Sequence, residues 1–269
     1  MQTDKNFSGA IASVYDTHMV PMIFEPYAVE MARRAAALAP QRVLELAAGT
    51  GVVTRHLAAT LAPSVSITAT DLNPAMLGEA RRVGTARPVQ WKAVDAMSLP
   101  FDEGAFDLVV CQFGVMFFPD KAKAFAEARR VLRPGGTFLF DVWDRIAENE
   151  FADVVTRALA ALFPNDAPVF MARTPHGYFD AATIVRDLAA GGFTAKPEVT
   201  TMAARSRTAS ARNAAIAYIQ GTPLRNEIES RDATRLAEAT DVSARALAQY
   251  FGSGAVDGKM QALIVAVAR

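Results

Sequence analysis

Apolar and polar positions along the chain follow two rhythms. From Tyr27 to Leu38 the apolar groups recur at helical spacing and stop at Pro40, which predicts a helix. Arg42 to Ala47 is a short apolar run ending in Ala48-Gly-Thr-Gly51, read as a buried strand, and Val52 to Leu61 returns to helical spacing. Ser64 to Thr70 predicts a second strand. Asn73-Pro74 then opens a helix, because asparagine caps an N-terminus and proline suits the first turn. Val89–Val94 and Phe106–Cys111 predict strands three and four. Asp120–Leu132 predicts a helix, Arg133-Pro-Gly-Gly136 a turn, and Thr137–Val142 strand five. Strands alternating with helices imply βαβ units and an α/β fold with a parallel sheet.

Beyond Trp143 the pattern changes. Ala147–Phe163 reads as a helix, Pro164–Gly177 as a loop, and Ala181–Ala190 as a helix stopped by Gly191-Gly192. Phe193–Thr200 is the expected sixth strand. Helices follow near Ala209–Ile219, Leu224–Glu238 and Val242–Phe251, and Met260–Val267 closes the sheet. The expected organisation is a single domain over 1–269. Within it lie an N-terminal helical lid (1–40), a ligand-binding core (41–144), cap helices with strand six near 193–200 (145–258), and a closing strand (259–269).

Composition narrows the function classes. Half of the 269 residues are apolar (51%), enough for a packed core and too many for a disordered chain. The 28 basic and 28 acidic residues cancel, with no basic stripe of the kind that neutralises phosphates, so no nucleic-acid partner is expected. The longest apolar run, Ala262–Ala268, is far shorter than the roughly 20 residues of a spanning helix. The N-terminus lacks an apolar secretory core. One cysteine, Cys111, and three scattered histidines (His18, His56, His176) predict neither a disulfide nor a metal site. A cytoplasmic protein acting on a small molecule, with no membrane insertion, is the expectation.

Chemistry concentrates at Val43-Leu-Glu-Leu-Ala-Ala-Gly-Thr-Gly51. A strand that bends through glycines into a helix lets a ligand approach the main chain. A dinucleotide fingerprint needs a third glycine where Thr54 stands, and Glu45 precedes the bend; both features oppose a diphosphate. Asp71, at the end of strand two, suits the two hydroxyls of a ribose, with a plain helix N-terminal carboxylate as the alternative. Asp95, just past strand three, is placed to accept an adenine amine, with Ala96 and Met97 beside the ring; its alternative is a solvated turn residue.

VLELAAGTG, TATDLNPAML, VDAMSLPF, FDLVVCQFGVMFFPD and RVLRPGG, in that order over Arg42 to Thr137, resemble the class I S-adenosylmethionine-dependent methyltransferases. The resemblance is to the branch similar to ubiquinone/menaquinone-biosynthesis methyltransferases. It implies a Rossmann-like seven-stranded sheet of order 3-2-1-4-5-7-6, strand seven antiparallel, with helices on both faces and a helical cap inserted late in the chain. It also implies S-adenosyl-L-methionine as cofactor. The amino-acid portion would lie against Ala47, Gly49, Thr50 and Gly51 with Glu45 beneath. The ribose would meet Asp71, with Leu72 and Met76 beyond it, and the adenine would meet Asp95, Ala96 and Met97. Cys111, Gln112 and Phe113 would face the methionyl side. Relatives commonly carry Gly where this chain has Ala47.

The implied activity is methyl transfer to an apolar or aromatic acceptor, by in-line displacement at the sulfonium methyl. The alternatives are a non-catalytic nucleoside-binding module and an NAD-dependent dehydrogenase. Phe113, Met116, Phe117 and Tyr178 are the candidate acceptor wall, against the alternative of core packing, which is expected for Phe118. Tyr15, also a candidate cofactor contact, His18 and His176 are the candidates for proton handling, against ordinary surface or loop roles.

Overall fold

In a computed structural model of the protein, residues 9–269 are described; positions 1–8 of the expected lid lie outside the described residues. Seven strands form one sheet: β1 (Arg42–Glu45), β2 (Ser66–Asp71), β3 (Gln90–Ala93), β4 (Phe106–Gln112), β5 (Leu132–Trp143), β6 (Glu198–Thr208) and β7 (Val256–Ala268). Their order is β3-β2-β1-β4-β5-β7-β6, as the resemblance implied. The pairs β1–β2, β1–β4, β2–β3 and β4–β5 are parallel. The last strand runs antiparallel to β5. The Asp144 amide donates to the Gln261 carbonyl and the Arg269 amide to that of Gly136, so partner numbers fall along one strand as they rise along the other.

The chain folds as two compact units. The sheet unit comprises Pro26–Val142, Tyr178–Met202 and Ala262–Arg269. The helical unit comprises the described residues up to Glu25, with Trp143–Gly177 and Ala203–Gln261. In the sheet unit, α2 (Glu25–Ala37), α3 (Val52–Thr60), α4 (Pro74–Val83), α5 (Lys121–Val131) and α8 (Ala181–Ala190) accompany the strands. Central strands such as Phe-Asp-Leu-Val-Val-Cys-Gln of β4 are nearly continuously apolar because both faces are covered. The Phe138 ring packs with its centre within 6.1 Å of those of Phe125, Phe140 and Phe193. Burying each such ring stabilises the fold by about 1.5–3 kcal/mol.

In the helical unit, α1 (Gly9–Val14) continues into a π-helical segment (Tyr15–Phe24) containing Pro21. With it come α6 (Glu150–Leu162), the one-turn α7 (Phe170–Arg173), α9 (Ala211–Gln220), α10 (Leu224–Asp232) and α11 (Leu236–Phe251). The longest of these, α11, packs on α9 and α6, and α9 packs on the π-helical segment.

Three expectations are corrected. Strand six does not occupy Phe193–Thr200. It starts at Glu198, after Pro197, which has no N–H to donate, and Phe193 instead packs against Phe138. The Pro134-Gly135-Gly136 turn belongs to β5. Phe106 pairs with Leu132 and Leu108 with Thr137, so the extra residues form a bulge, with Gly135 at φ +74°. The helices expected over Leu224–Glu238 and Val242–Phe251 divide instead at a 3₁₀ turn, Ala233–Arg235.

Candidate functional site

The bend after β1 is held from three sides. The Leu46 amide donates to the Val110 carbonyl (2.8 Å), Ala48 to Thr70 (2.9 Å) and Gly51 to Ala48 (2.9 Å). Ala47, Gly49 and Gly51 all have positive φ (+51°, +58° and +85°), a conformation that glycine adopts freely and alanine only under strain. A methyl on Gly51 would lie 3.0 Å from the Trp91 ring, so close packing as well as φ demands glycine there.

Glu45 lies beneath the bend and is buried. One of its carboxylate oxygens accepts the Thr54 hydroxyl at 2.6 Å, and its carbonyl accepts that of Thr70 at 2.8 Å. Burial pushes its carboxyl up to about 8 against the Thr54 hydrogen bond, and the nearby Asp71 charge pushes the same way. Glu45 is therefore largely neutral at pH 7. The residue expected to break a dinucleotide motif, Thr54, is its partner.

Asp71 clasps the bend from β2. One oxygen accepts the Gly49 amide at 2.8 Å and the other the Asn73 amide at 2.7 Å. Burial raises its carboxyl, and those two amides oppose the shift. A carboxylate offers about four acceptor positions, so each oxygen keeps capacity for a further donor. Beyond it, Asn73 caps α4 by accepting the Ala75 amide at 2.9 Å, with Pro74 in the first turn, as expected. Leu72 is 53% exposed beside Asp71, and Met76 is buried with its Cε 3.7 Å from where a Gly49 methyl would stand.

The strand-three loop joins the same place. The Val94 amide donates to the Asp71 carbonyl at 3.0 Å. One Asp95 oxygen accepts the Met97 amide at 2.9 Å, so the turn role weighed for Asp95 is real and occupies one oxygen. Ala96 is buried and Met97 half-buried.

A second cluster lies at the ends of β4 and β5. Phe113 is buried at φ +48°, stacks edge-on to Tyr27 at 5.2 Å, and donates its amide to Asp141 at 2.7 Å. Holding a phenylalanine in that region costs about 1–3 kcal/mol. Asp141 is fully buried, its other oxygen has no partner among the described residues, and burial raises its carboxyl well above the usual range. Burial likewise raises the Cys111 thiol, an inert small residue beside Gln112. A methyl on Gly114 would stand 2.6 Å from both the Ala47 Cβ and the Cys111 Sγ. The Ala47 methyl thus occupies space that Gly114 leaves free, which links the two clusters.

Next come Met116, buried, and Phe117 and Phe118, both half-buried, so Phe118 is not the core residue it was expected to be. Lys121 connects this segment to Tyr178. Its Nζ donates to the Phe118 carbonyl at 3.0 Å and sits 4.6 Å from the centre of the Tyr178 ring, whose hydroxyl donates to Asp187 at 2.8 Å.

Tyr15, His18 and His176 belong to the helical unit. Tyr15 stacks on Phe24 (5.0 Å), Phe24 meets Trp143 (6.0 Å), and Trp143 meets His176 (6.0 Å), so a run of rings joins two of the three candidates. His18 is half-buried on the π-helical segment. The Nδ1 of His176 lies 2.9 Å from the Asp144 carbonyl. A carbonyl only accepts, so Nδ1 carries the proton and Nε2 remains an acceptor. Burial lowers this imidazole to about 4, keeping it neutral at pH 7. Asp144 in turn accepts from the Arg145 amide and the Gln261 side chain. Asp141 and Asp144 escaped the sequence reading; the visible signal was two acids inside the apolar run Phe-Leu-Phe-Asp-Val-Trp-Asp.

These residues discriminate among ligands. The Ala48, Gly49 and Gly51 amides are already donated within the bend, and a carboxylate stands at its mouth, so a diphosphate would find repulsion and few donors. A nucleoside fits. Asp71 can accept ribose hydroxyls, and Thr50 Oγ1, buried without a partner among the described residues, is available to a polar amino-acid portion. Among the described residues, no group of three or more possible metal ligands occurs and no helix is long and apolar enough to cross a membrane.

Known proteins match this picture. A methyltransferase-domain family matches residues 44–140. The demethylmenaquinone methyltransferase of Thermus thermophilus is 45% identical over 100 residues, covering 36% of this chain and 45% of the relative. That of Mycolicibacterium gilvum is 33% identical over 171 residues, covering 60% of this chain and 72% of the relative. The chain thus spans less than half of the Thermus and Deinococcus relatives (45% and 44%) and most of the Mycolicibacterium one. In fold, a Haemonchus contortus phosphoethanolamine N-methyltransferase solved with S-adenosylhomocysteine aligns at TM-score 0.61 and 19% identity, over 99% of this chain and 59% of that one. The Bacillus subtilis YcgJ protein aligns at 0.57 and 17%, over 91% and 99%. By its motifs, its strand order and this kinship, the chain belongs to the class I S-adenosylmethionine-dependent methyltransferases, in the family that includes the demethylmenaquinone methyltransferases.

Proposed function

We propose that this chain moves a methyl group from S-adenosylmethionine to a small aromatic acceptor of the quinol or phenol type. The observation that carries the reading is the Asp71 clasp. Its carboxylate is fixed by the Gly49 and Asn73 amides at the carboxyl end of the sheet, where open α/β sheets take their ligands. When bound, the cofactor supplies an electrophilic methyl on a sulfonium sulfur. Asp71 would accept the ribose hydroxyls, Thr50 and the Gly49–Gly51 main chain would line the amino-acid portion, and Leu72, Asp95, Ala96 and Met97 would bracket the base. Burial raises the carboxyls of both Glu45 and Asp71, and the Gly49 and Asn73 amides hold that of Asp71 down. Cys111, Gln112 and Phe113 would form the methionyl side, with Phe113 held by Asp141.

The acceptor class is supported by the names of the relatives, demethylmenaquinone methyltransferases among them, and by the abundance of aromatic and methionine side chains at the candidate wall. Phe113, Met116 and Phe117 would form that wall, with Tyr178 behind it through Lys121. His176, neutral and oriented by the Asp144 carbonyl, would serve as a hydrogen-bond acceptor more than as a proton sink, since a base near pKa 4 takes up little proton at pH 7. Tyr15 and His18 remain the candidates for taking a proton. Aligning acceptor and methyl is the main demand, and orientation can supply up to about 7–11 kcal/mol. The balanced charge supports a small-molecule partner over a nucleic acid, and the reading includes a cytoplasmic location.

Incubation with methyl-labelled cofactor and a panel of naphthols and reduced quinones tests the proposal. Label should pass to at least one ring compound, and none passing to any while the cofactor binds would overturn it.

A further inference from the structure

Among the described residues, three other than glycine have positive φ: Ala39, Ala47 and Phe113. Two of them, Ala47 and Phe113, lie just past the ends of the neighbouring parallel strands β1 and β4. Strain of this kind persists only where the surroundings over-determine the backbone, and it concentrates at functional positions. Phe113 is held in several ways. Its amide donates at 2.7 Å to Asp141 on the adjoining strand β5, and its ring meets Tyr27 edge-on at 5.2 Å. Tyr27 is itself buried, and its hydroxyl donates to the Met202 carbonyl at 3.3 Å. Past Phe113, the Gly114 amide donates to the Cys111 sulfur and the Gly114 carbonyl accepts the Phe117 amide at 3.0 Å.

Asp141 stands apart among these contacts. It sits within the apolar run of β5, opposite Gln112, and is fully buried. One oxygen serves the Phe113 amide, and the other has no partner among the described residues. A single amide needs one acceptor, which serine or asparagine supplies without burying an acid. Two costs therefore meet in one place, a phenylalanine in the left-handed region and a half-used buried carboxyl, and one hydrogen bond joins them. Local rules broken together in this way are expected where function demands it.

We propose that Asp141 is a positioning residue for methyl transfer: through the Phe113 amide it fixes the phenylalanine ring that borders the cofactor's methionyl side. This role rests on the place of Phe113 in the function proposed above, and Asp141 itself touches neither cofactor nor acceptor. Burial raises the Asp141 carboxyl and favours its neutral form, which asparagine imitates in shape and in its accepting oxygen.

Calorimetric titration of the full chain with S-adenosylhomocysteine tests this in the wild type, Asp141→Asn, Asp141→Ala, Phe113→Ala and the double variant Asp141→Ala/Phe113→Ala, well below the lowest melting temperature. Asp141→Ala and Phe113→Ala should each weaken binding about tenfold. The double variant should bind about as weakly as either single one, because Asp141 acts through Phe113. Asp141→Asn should stay within about threefold of the wild type, since the amide keeps its acceptor. Undiminished affinity in Asp141→Ala, losses that multiply in the double variant, or an asparagine variant as weak as the alanine one overturns the role. A purely structural part would lower the melting temperature and leave the affinity of the folded chain alone. In the wild type, which requires no variant to fold, saturation with S-adenosylhomocysteine should move the Phe113 amide resonance, and a resonance that stays in place also overturns the role. Binding as expected without methyl transfer to any ring compound would overturn the acceptor proposed above and leave Asp141 as a positioning residue.

Discussion

Glu45 makes stability depend on pH in a way that can be isolated. Its carboxyl titrates at about 8 in the fold against 4.5 for an ordinary glutamate, chiefly because it is buried under the bend. Between those values the folded chain keeps a proton that the unfolded chain has released. The contribution is complete below the lower value and is lost as pH rises through the upper one. Each pH unit in that interval costs about 1.4 kcal/mol, on the order of 4–5 kcal/mol across it. Glu45→Gln keeps an oxygen to accept the Thr54 hydroxyl and cannot titrate. Urea unfolding of both proteins at pH 5, 6.5 and 8 gives the comparison, and every other titrating group cancels in the difference. The stability of the wild type relative to Glu45→Gln should fall by about 1.4 kcal/mol per unit across that range. A difference that stays constant with pH would refute the argument that this carboxyl is neutral in the native state.

On the acid side His176 acts in the opposite sense: its imidazole titrates at about 4 against 6.5 when unfolded, so stability falls as pH drops through that interval, and His176→Asn should flatten the acid limb of the wild-type unfolding profile. Gly114→Ala should destabilise by about 1–3 kcal/mol in denaturant titration, its methyl meeting Ala47 and Cys111. Adding Ala47→Gly removes one of those two contacts and the strained φ, so the double variant should recover part of the loss; simple additivity would contradict the contact. Asp141→Ala strands the Phe113 amide and should cost about 1–3 kcal/mol, whereas Asp141→Asn, which still accepts that amide, should cost less; equal losses would show that the hydrogen bond is not what matters.

The sheet was legible where apolar runs and glycine bends coincide, as at β1, β2 and β4, because both faces of those strands are buried and their sequence has little freedom. At the edge the signal faded. The residues of β6 alternate between exposed and half-buried, and the strand carries arginines at 205 and 207, so the apolar Phe193 drew the expected boundary too early. The Pro134-Gly135 pair looks like a turn in any local reading; that it forms a bulge within β5 depends on pairing with β4 and Arg269. In the site, Asp71 and the glycines declared themselves through spacing. Asp141 and Asp144 did not, because what sets them apart is the partners they gain in three dimensions. Ala47 looked like a departure from the glycine of its relatives, and the space that admits its methyl is left by Gly114, far away in sequence.

The central claim is that the bend clasped by Asp71 binds a nucleoside through its ribose. Calorimetric titration with S-adenosylhomocysteine, in the wild type and in Asp71→Ala, tests it most directly. Saturable binding to the wild type is expected, with affinity at least about tenfold weaker in the variant, the loss that follows removal of a hydrogen-bonding carboxyl. No heat with the wild type, or equal affinity in the two proteins, would contradict it.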